Sequence, residues 1–301
     1  VTTFDAPGYR FLGPSAAAVS GGHLWVTNVL GNSVTELSAP TGSRIRVLRP
    51  GYAFRGPNAI AIGRGRVWVA NVPANSVAEL NAKTGRLERT LSAGYGFSGP
   101  YALALGRRRL WVANSGGDSV TEIDAVTGRR IATLSDRRYR FDRPRALALS
   151  AGRLWVANAG GNSVTELNAR TGSWIATLSA DYRFDDPAVL AAADGHLWVA
   201  SQAGNSVTEV DARTGRLIRV LAGRRYAFDN PAALAVSGGH LWVANALGNS
   251  VTEINAGAGT PQRIIAGLRY GLGNPAGLAA SGADLWITNL GADSVTRLRA
   301  G

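Results

Sequence analysis

The sequence contains no cysteine and no methionine. Without thiols it can form neither a disulfide nor a thiolate metal site, which leaves its compartment open. Lysine is almost missing as well. Lys83 stands alone, and arginine supplies the rest of the 32 basic residues. That bias reads as the mark of a GC-rich genome or of a consensus-like repeat. No apolar run is long enough to cross a bilayer as a helix. Linkers, low-complexity tails and shifts in composition are absent. So are the Gly-x-Ser-x-Gly elbow, the P-loop and the dinucleotide fingerprint, which removes the sequence case for those chemistries. The sequence opens on Val1-Thr-Thr-Phe4, inside the repeat. The expectation is a mature or trimmed terminus, with secretion left open.

What the sequence does hold is a repeat. Leu154-Trp-Val-Ala-Asn158 and the following Ala159-Gly-Gly-Asn-Ser-Val-Thr-Glu-Leu167 recur with small changes along the whole chain. The tryptophans Trp25, Trp68, Trp111, Trp155, Trp198, Trp242 and Trp286 are spaced 43 or 44 residues apart, and only Trp174 falls outside that register. Each period carries four strand-like runs. In one period these are 188–193, 197–200, 206–210 and 216–221, separated by Gly, Asn and Asp turns. Four short strands per period of roughly 40–45 residues is the arithmetic of a β-propeller blade. The prediction is an all-β, seven-bladed β-propeller, one domain over 1–301. Residues 1–4 match a fourth-strand slot, and the last blade, 276–301, lacks its own. The N-terminal strand is therefore expected to complete that blade in a three-plus-one closure.

Several positions in the repeat invite a role. Each tryptophan is expected to wedge between blades. The Asn closing each second strand (Asn28, Asn71, Asn114, Asn158, Asn245, Asn289) reads as an Asx-type turn former. Blade five breaks this rule with Ser201-Gln202. The third-strand glutamates (Glu36, Glu79, Glu122, Glu166, Glu209, Glu253) are expected to pair with arginine or backbone donors, and Arg297 replaces the seventh. In blades one to six the loop leading into the first strand carries Tyr-x-Phe and ends in Pro, as in Tyr139/Phe141/Pro144 and Tyr182/Phe184/Pro187, while the seventh copy has Tyr270, Leu272 and Pro275. It is either an aromatic plug or one of a ring of shelves for a flat ligand such as a sugar.

The second-strand ending Trp25-Val-Thr-Asn28, its Trp-Val-Ala-Asn variants in blades two, three, four and six, and the continuation Asn-Ser-Val-Thr-Glu-Leu-Asn-Ala-x-Thr-Gly together resemble the YVTN family of bacterial β-propeller repeats. The likeness runs the full length. It implies the propeller fold and leaves function open, since members include surface-layer and binding proteins. A weaker likeness connects the Leu-Trp segments to NHL repeats and to virginiamycin B lyase-like propellers. That second likeness implies a catalytic histidine helped by acidic residues and a magnesium ion.

The three histidines, His23, His196 and His240, each precede Leu-Trp in a slot where other blades put Arg66, Arg109, Arg153 and Asp284. A catalytic histidine should be singular and sit with partners. These read instead as residues at a tolerant polar position, and no catalytic residue is assigned. Asp142, Asp185, Asp186 and Asp229 precede the loop prolines of blades four to six and are weak candidates for a metal site. A ligand site on a repeating ring should appear where symmetry breaks. The residue after each loop proline does so: Ser15, Asn58, Tyr101, Arg145, Ala188, Ala232, Ala276. Asn58, Tyr101, Arg145 and Gln202, with Tyr139 and Tyr182, are the candidate ligand residues.

The net charge of +12 raises nucleic acid as a partner. The arginines spread over every blade, however, and even the densest cluster, residues 137–145, reads as a solvated surface rather than a groove. The leading expectation is a non-catalytic, monomeric binding or scaffold propeller for a protein or glycan partner, with no cofactor. A multivalent lectin and a metal-assisted lyase or lactonase are the alternatives.

Overall fold

The computed structural model describes residues 1–5, 7–49 and 51–299; Ala6, Pro50, Ala300 and Gly301 lie outside the described residues, and with them the last two residues of the segment assigned to blade seven. The described chain forms seven four-stranded antiparallel sheets, the blades of a seven-bladed β-propeller. Blade one spans 14–48, two 57–91, three 100–134, four 144–178, five 187–221, six 231–266 and seven 275–299. Blade seven takes its fourth strand from the N-terminus. Thr2 pairs with Arg297, Thr3 with Thr296 and Phe4 with Val295. The four strands of blade five begin and end within one residue of the ranges read from sequence: Pro187–Ala193, His196–Ser201, Ser206–Asp211 and Leu217–Leu221.

By contact density the chain divides into two compact units. The first is Val1–Thr90 with Ala232–Gly301, and the second is Leu91–Pro231. Each unit has its own wedge tryptophans. In the first, Trp25 packs against Val67 and Val69 of blade two, Trp242 against Leu285 and Ile287 of blade seven, and Trp286 against Leu24 and Val26 of blade one. In the second, Trp111 meets Leu154 and Val156, and Trp155 meets Leu197 and Val199. All seven repeat tryptophans are among the largest fully buried side chains. Within each unit neighbouring blades cover the sheet faces, and second and third strands are buried at nearly every position and need no apolar–polar alternation.

The loop between third and fourth strands shows how local chemistry repeats the blade. Asp124 Oδ1 accepts from the backbone N–H of Val126 and Thr127, and Gly128 N donates to Asp124 O. Gly128 has φ +73°, which a side chain disfavours. Blade six departs in sequence here, with Gly257-Ala-Gly-Thr260. Gly259 nonetheless takes φ +70° and donates to Asn255 O, so the turn is conserved in shape. Among the described residues, Asx turns of this kind form at Asn81, Asp124, Asn168, Asp211 and Asn255.

Candidate functional site

The asparagines that close the second strands do a different job from the turn former expected of them. They are fully buried, and their amides reach across to the third strand. Asn158 Nδ2 donates to Ser163 Oγ at 3.2 Å and to Thr165 Oγ1 at 3.0 Å. Thr165 Oγ1 donates in turn to the carbonyl of Tyr139 at 2.8 Å. The same relay runs Asn28–Thr35–Tyr9, Asn114–Thr121–Tyr95 and Asn289–Thr296–Tyr270. It fixes the lead-in loop to the blade that follows. Blade two has Ala78 in the threonine position, so Asn71 bonds Ser76 only across the hairpin. In blade five Ser201 replaces the asparagine and accepts from Asp185 N at 3.3 Å.

The Tyr-x-Phe pairs are stacked on themselves. Tyr139 and Phe141 lie 5.3 Å apart at 7°, and Tyr182 and Phe184 5.5 Å apart at 21°. Both tyrosines pack against apolar core clusters. Tyr182 Oη donates to Gly215 O at 2.7 Å, and burial raises its hydroxyl above the usual value, which keeps it a donor. Tyr95 does the same to Gly128 O. Rings stacked on one another with their hydroxyls spent on backbone have the geometry of a plug.

The third-strand glutamates are buried and paired. Glu36 is flanked by His23 at 2.7 Å and Arg46 at 2.6 Å; Glu209 by His196 and Arg219; Glu253 by His240 and Arg263. Glu79 has Arg66 and Arg89, while Glu122 has Arg109 and Glu166 has Arg153. A compensation emerges that was not read from the sequence. Where the second-strand slot is histidine, the fourth strand supplies an arginine. Where the fourth-strand position is alanine, at Ala132 and Ala176, the slot is arginine. Every buried carboxylate thus keeps at least one guanidinium. Burial pushes the carboxyls of Glu36, Glu79, Glu122 and Glu166 above their ordinary value, against the pull of those arginines. In blade seven the charges swap. Arg297 occupies the glutamate position, lies over the Trp286 ring at 5.4 Å and donates to Pro40 O.

A second feature missed in the sequence is a staple between blades. The residue before each loop proline has a positive φ, and in blades one, two, four, five, six and seven its N–H donates to an Asn or Asp side chain of the preceding blade. Arg143 N donates to Asp118 and Asp186 N to Asn162, as Gly13 does to Asp293 and Gly56 to Asn32. Glycine and asparagine fit this left-handed backbone. Asp186, at φ +55°, is also tolerated there, whereas Arg143, at φ +49°, does not fit it as readily.

Those two residues flank the place where several candidates gather. In the second unit, Arg145 Cζ sits 5.7 Å from the centre of the Tyr101 ring, and Arg145 Nη1 is 3.9 Å from Asp186 Oδ1. Gln202 N donates to Asp186 O at 3.0 Å. Asp186 Oδ1 is buried and accepts no hydrogen bond. Tyr101, Arg145, Asp186 and Gln202 therefore form one cluster at the ends of adjoining blades. Beside it, the first strands of blades three to five hold a hollow of about 310 Å³ lined by Leu103, Leu147 and Leu190. Asn58 belongs to the first unit, at the start of blade two's first strand. Tyr139 and Tyr182 are in the plugs.

The aspartates do not assemble. Asp142, Asp185 and Asp229 are exposed, and Asp142 O and Asp185 O accept from Gly160 N and Gly204 N of their own blades. Among the described residues no three His, Cys, Asp or Glu side chains come close enough to hold a metal ion together. Asp186 takes part in the Arg145 cluster instead. No described helix is long and apolar enough to cross a membrane.

No protein-family model matches the sequence, and no curated protein does. Solved structures with the same fold are numerous. A selenomethionine-substituted virginiamycin B lyase from Staphylococcus aureus superposes with a TM-score of 0.84 at 16% identity, over 99% of this chain and 98% of that one. A streptogramin B lyase gives 0.82 at 18%, over 98% and 96%. The β-propeller domain of Myceliophteria thermophila Cps50 (Swd1) gives 0.81 at 13%, over 100% of both. At such identities the likeness establishes the fold, a seven-bladed β-propeller shared by several propeller families.

Proposed function

We propose that the protein is a non-catalytic binding propeller whose recognition site is the cluster of Tyr101, Arg145, Asp186 and Gln202. The observation that carries this reading is the buried Asp186 Oδ1, which has no hydrogen-bond donor although a guanidinium stands 3.9 Å away. A buried carboxylate oxygen without a donor is costly, and a ligand N–H or O–H would relieve it. Tyr101 adds an aromatic face and Arg145 a planar cation, the side-chain types that dominate binding hot spots. The partner is a protein or a glycan with donor groups. The Trp-Val-Thr-Asn and Trp-Val-Ala-Asn strand endings support reading the chain as a YVTN-type repeat protein.

The lyase reading has two lyases of the same fold in its favour. Against it, each histidine is tied to a buried glutamate. In blade five, His196 begins the second strand whose far end leads to Gln202. The test is a thermal-shift screen of the purified chain against glycans and peptides. A ligand of the folded state raises Tm in a saturable way. That rise should vanish in a Tyr101→Ala/Arg145→Ala double variant and persist in Tyr139→Ala. A rise that survives the double variant and is lost with Tyr139→Ala moves the site to the aromatic loops and revives the lectin alternative.

A further inference from the structure

A cavity lies at the other end of the same blades, where the first and second strands turn. It measures about 550 Å³ and opens between the hairpins of blades three and four, within the second unit. Its existence follows from a break in the repeat. In blades one, two, four, five and six this two-residue turn has positive φ at both positions, the second always glycine: Gly22, Gly65, Gly152, Gly195 and Gly239. Such a turn keeps the hairpin tight. Blade three has Arg107-Arg108 instead, and neither residue is left-handed. Its first strand stops at Leu105, and Gly106 N donates to Arg109 O to close a differently shaped turn.

The cavity has two chemistries. Leu149 and Ala169 line it, backed by Trp111. Around them stand five arginines: Arg107, Arg108, Arg109, Arg153 and Arg170. Arg109 and Arg153 neutralise the buried Glu122 and Glu166. Asp124 lies 3.8 Å from Arg108, whose side chain is 69% exposed. Guanidinium forks match the geometry of carboxylate and phosphate oxygens and give charge-assisted hydrogen bonds. An apolar wall beneath them accepts a flat hydrocarbon body and excludes a bare, fully hydrated ion. We propose that this cavity binds a small organic oxyanion, its flat apolar body against Leu149 and Ala169 and its carboxylate or phosphate head among Arg107, Arg108 and Arg170. The site is separate from the Tyr101 cluster and does not depend on it.

Isothermal titration calorimetry on the full chain tests this with 2-naphthoate, 2-naphthyl phosphate and inorganic phosphate. The expected result is one saturable site per chain for at least one naphthyl compound, with inorganic phosphate at least about tenfold weaker. The better of the two naphthyl probes identifies the head group. Arg108→Gly restores the repeat's glycine and removes one cation; Arg170→Ala removes an exposed one and should leave the melting curve unchanged. Each is expected to weaken binding about tenfold, while Arg138→Ala leaves it unaltered. Absence of saturable heat up to about 5 mM overturns the proposal. So does equal affinity for inorganic phosphate, or wild-type affinity in both folded cavity variants.

Discussion

Glu166 has one cation within reach, Arg153, because the fourth strand places Ala176 opposite it. Two forces then compete at a single carboxyl. Burial favours the protonated acid and the guanidinium favours the carboxylate, and burial is the larger. The sign for stability follows. A carboxyl whose folded value is raised holds its proton more readily in the folded chain. Its contribution is fully present below its ordinary value of 4.5 and is lost as pH rises through the raised folded value. Glu166→Gln removes the titration and keeps the shape. The variant's Tm minus that of the wild type should therefore increase between about pH 4.5 and 7. A difference that falls over that range would mean that attraction to Arg153 outweighs desolvation. Asp124 and Asp211 run the other way. Backbone N–H donors from Thr127 and Thr214 hold them below the usual carboxylate value, so their contribution is lost only as the medium becomes more acidic. The two sets titrate on opposite sides of their reference values, which keeps the Glu166 signal separable.

At the scale of an element, the N-terminal strand shows what three residues can hold. Thr2–Phe4 covers the edge of the last third strand, and Phe4 packs on Trp286 at 5.6 Å and on Tyr9 at 5.7 Å. Removing residues 1–5 uncovers that edge and the tryptophan together. The truncated chain should melt well below the full one, and Phe4→Ala alone should cost about 3 kcal/mol. Thr2→Ala, at an exposed position, is expected to change stability by less than about 0.5 kcal/mol. An unchanged melting curve for the truncation would show that the strand is ornamental. This closure was legible in the sequence, because Val1-Thr-Thr-Phe4 carries the pattern of a fourth strand. The tryptophan wedges were legible for the same reason, a period repeated seven times. The asparagine relay was not. Its second and third members lie on another strand and in the preceding loop, and the side chain's local preference for a turn pointed elsewhere. The staple between blades escaped for a related cause, since its acceptor and donor belong to different repeats. At the candidate site, Tyr101, Arg145 and Gln202 stood out as departures from the repeat. Their link to Asp186 depends on a left-handed residue before proline, which the chain's own propensities argue against.

At the scale of the whole molecule the dominant quantity is charge, +12 with nearly all cations arginine. Much of that charge is already committed. Arg46, Arg66, Arg89, Arg109, Arg153, Arg219 and Arg263 each lie against a buried glutamate. Others are spent on backbone oxygens, as Arg44 is on Gly8 O and Arg297 on Pro40 O. Arg138 is held by Asp136 within the basic 137–145 segment. Apart from the arginines around the cavity of blades three and four, what is left is a diffuse field rather than a groove of converging donors. Such a field attracts polyanions through counterion release alone, so the attraction carries a steep salt dependence and no sequence information. A fluorescent 20-base-pair duplex should therefore bind weakly in about 50 mM salt and lose that binding by about 200 mM, with equal affinity for unrelated sequences. Charge removal at Arg137, Arg140 and Arg143 together should lower affinity by no more than removal of three exposed arginines elsewhere. Fluorescence anisotropy across a salt series reads all three. Affinity that persists at high salt, discriminates between sequences or collapses with the 137–145 cluster alone would make nucleic acid a specific partner and displace the binding-propeller reading.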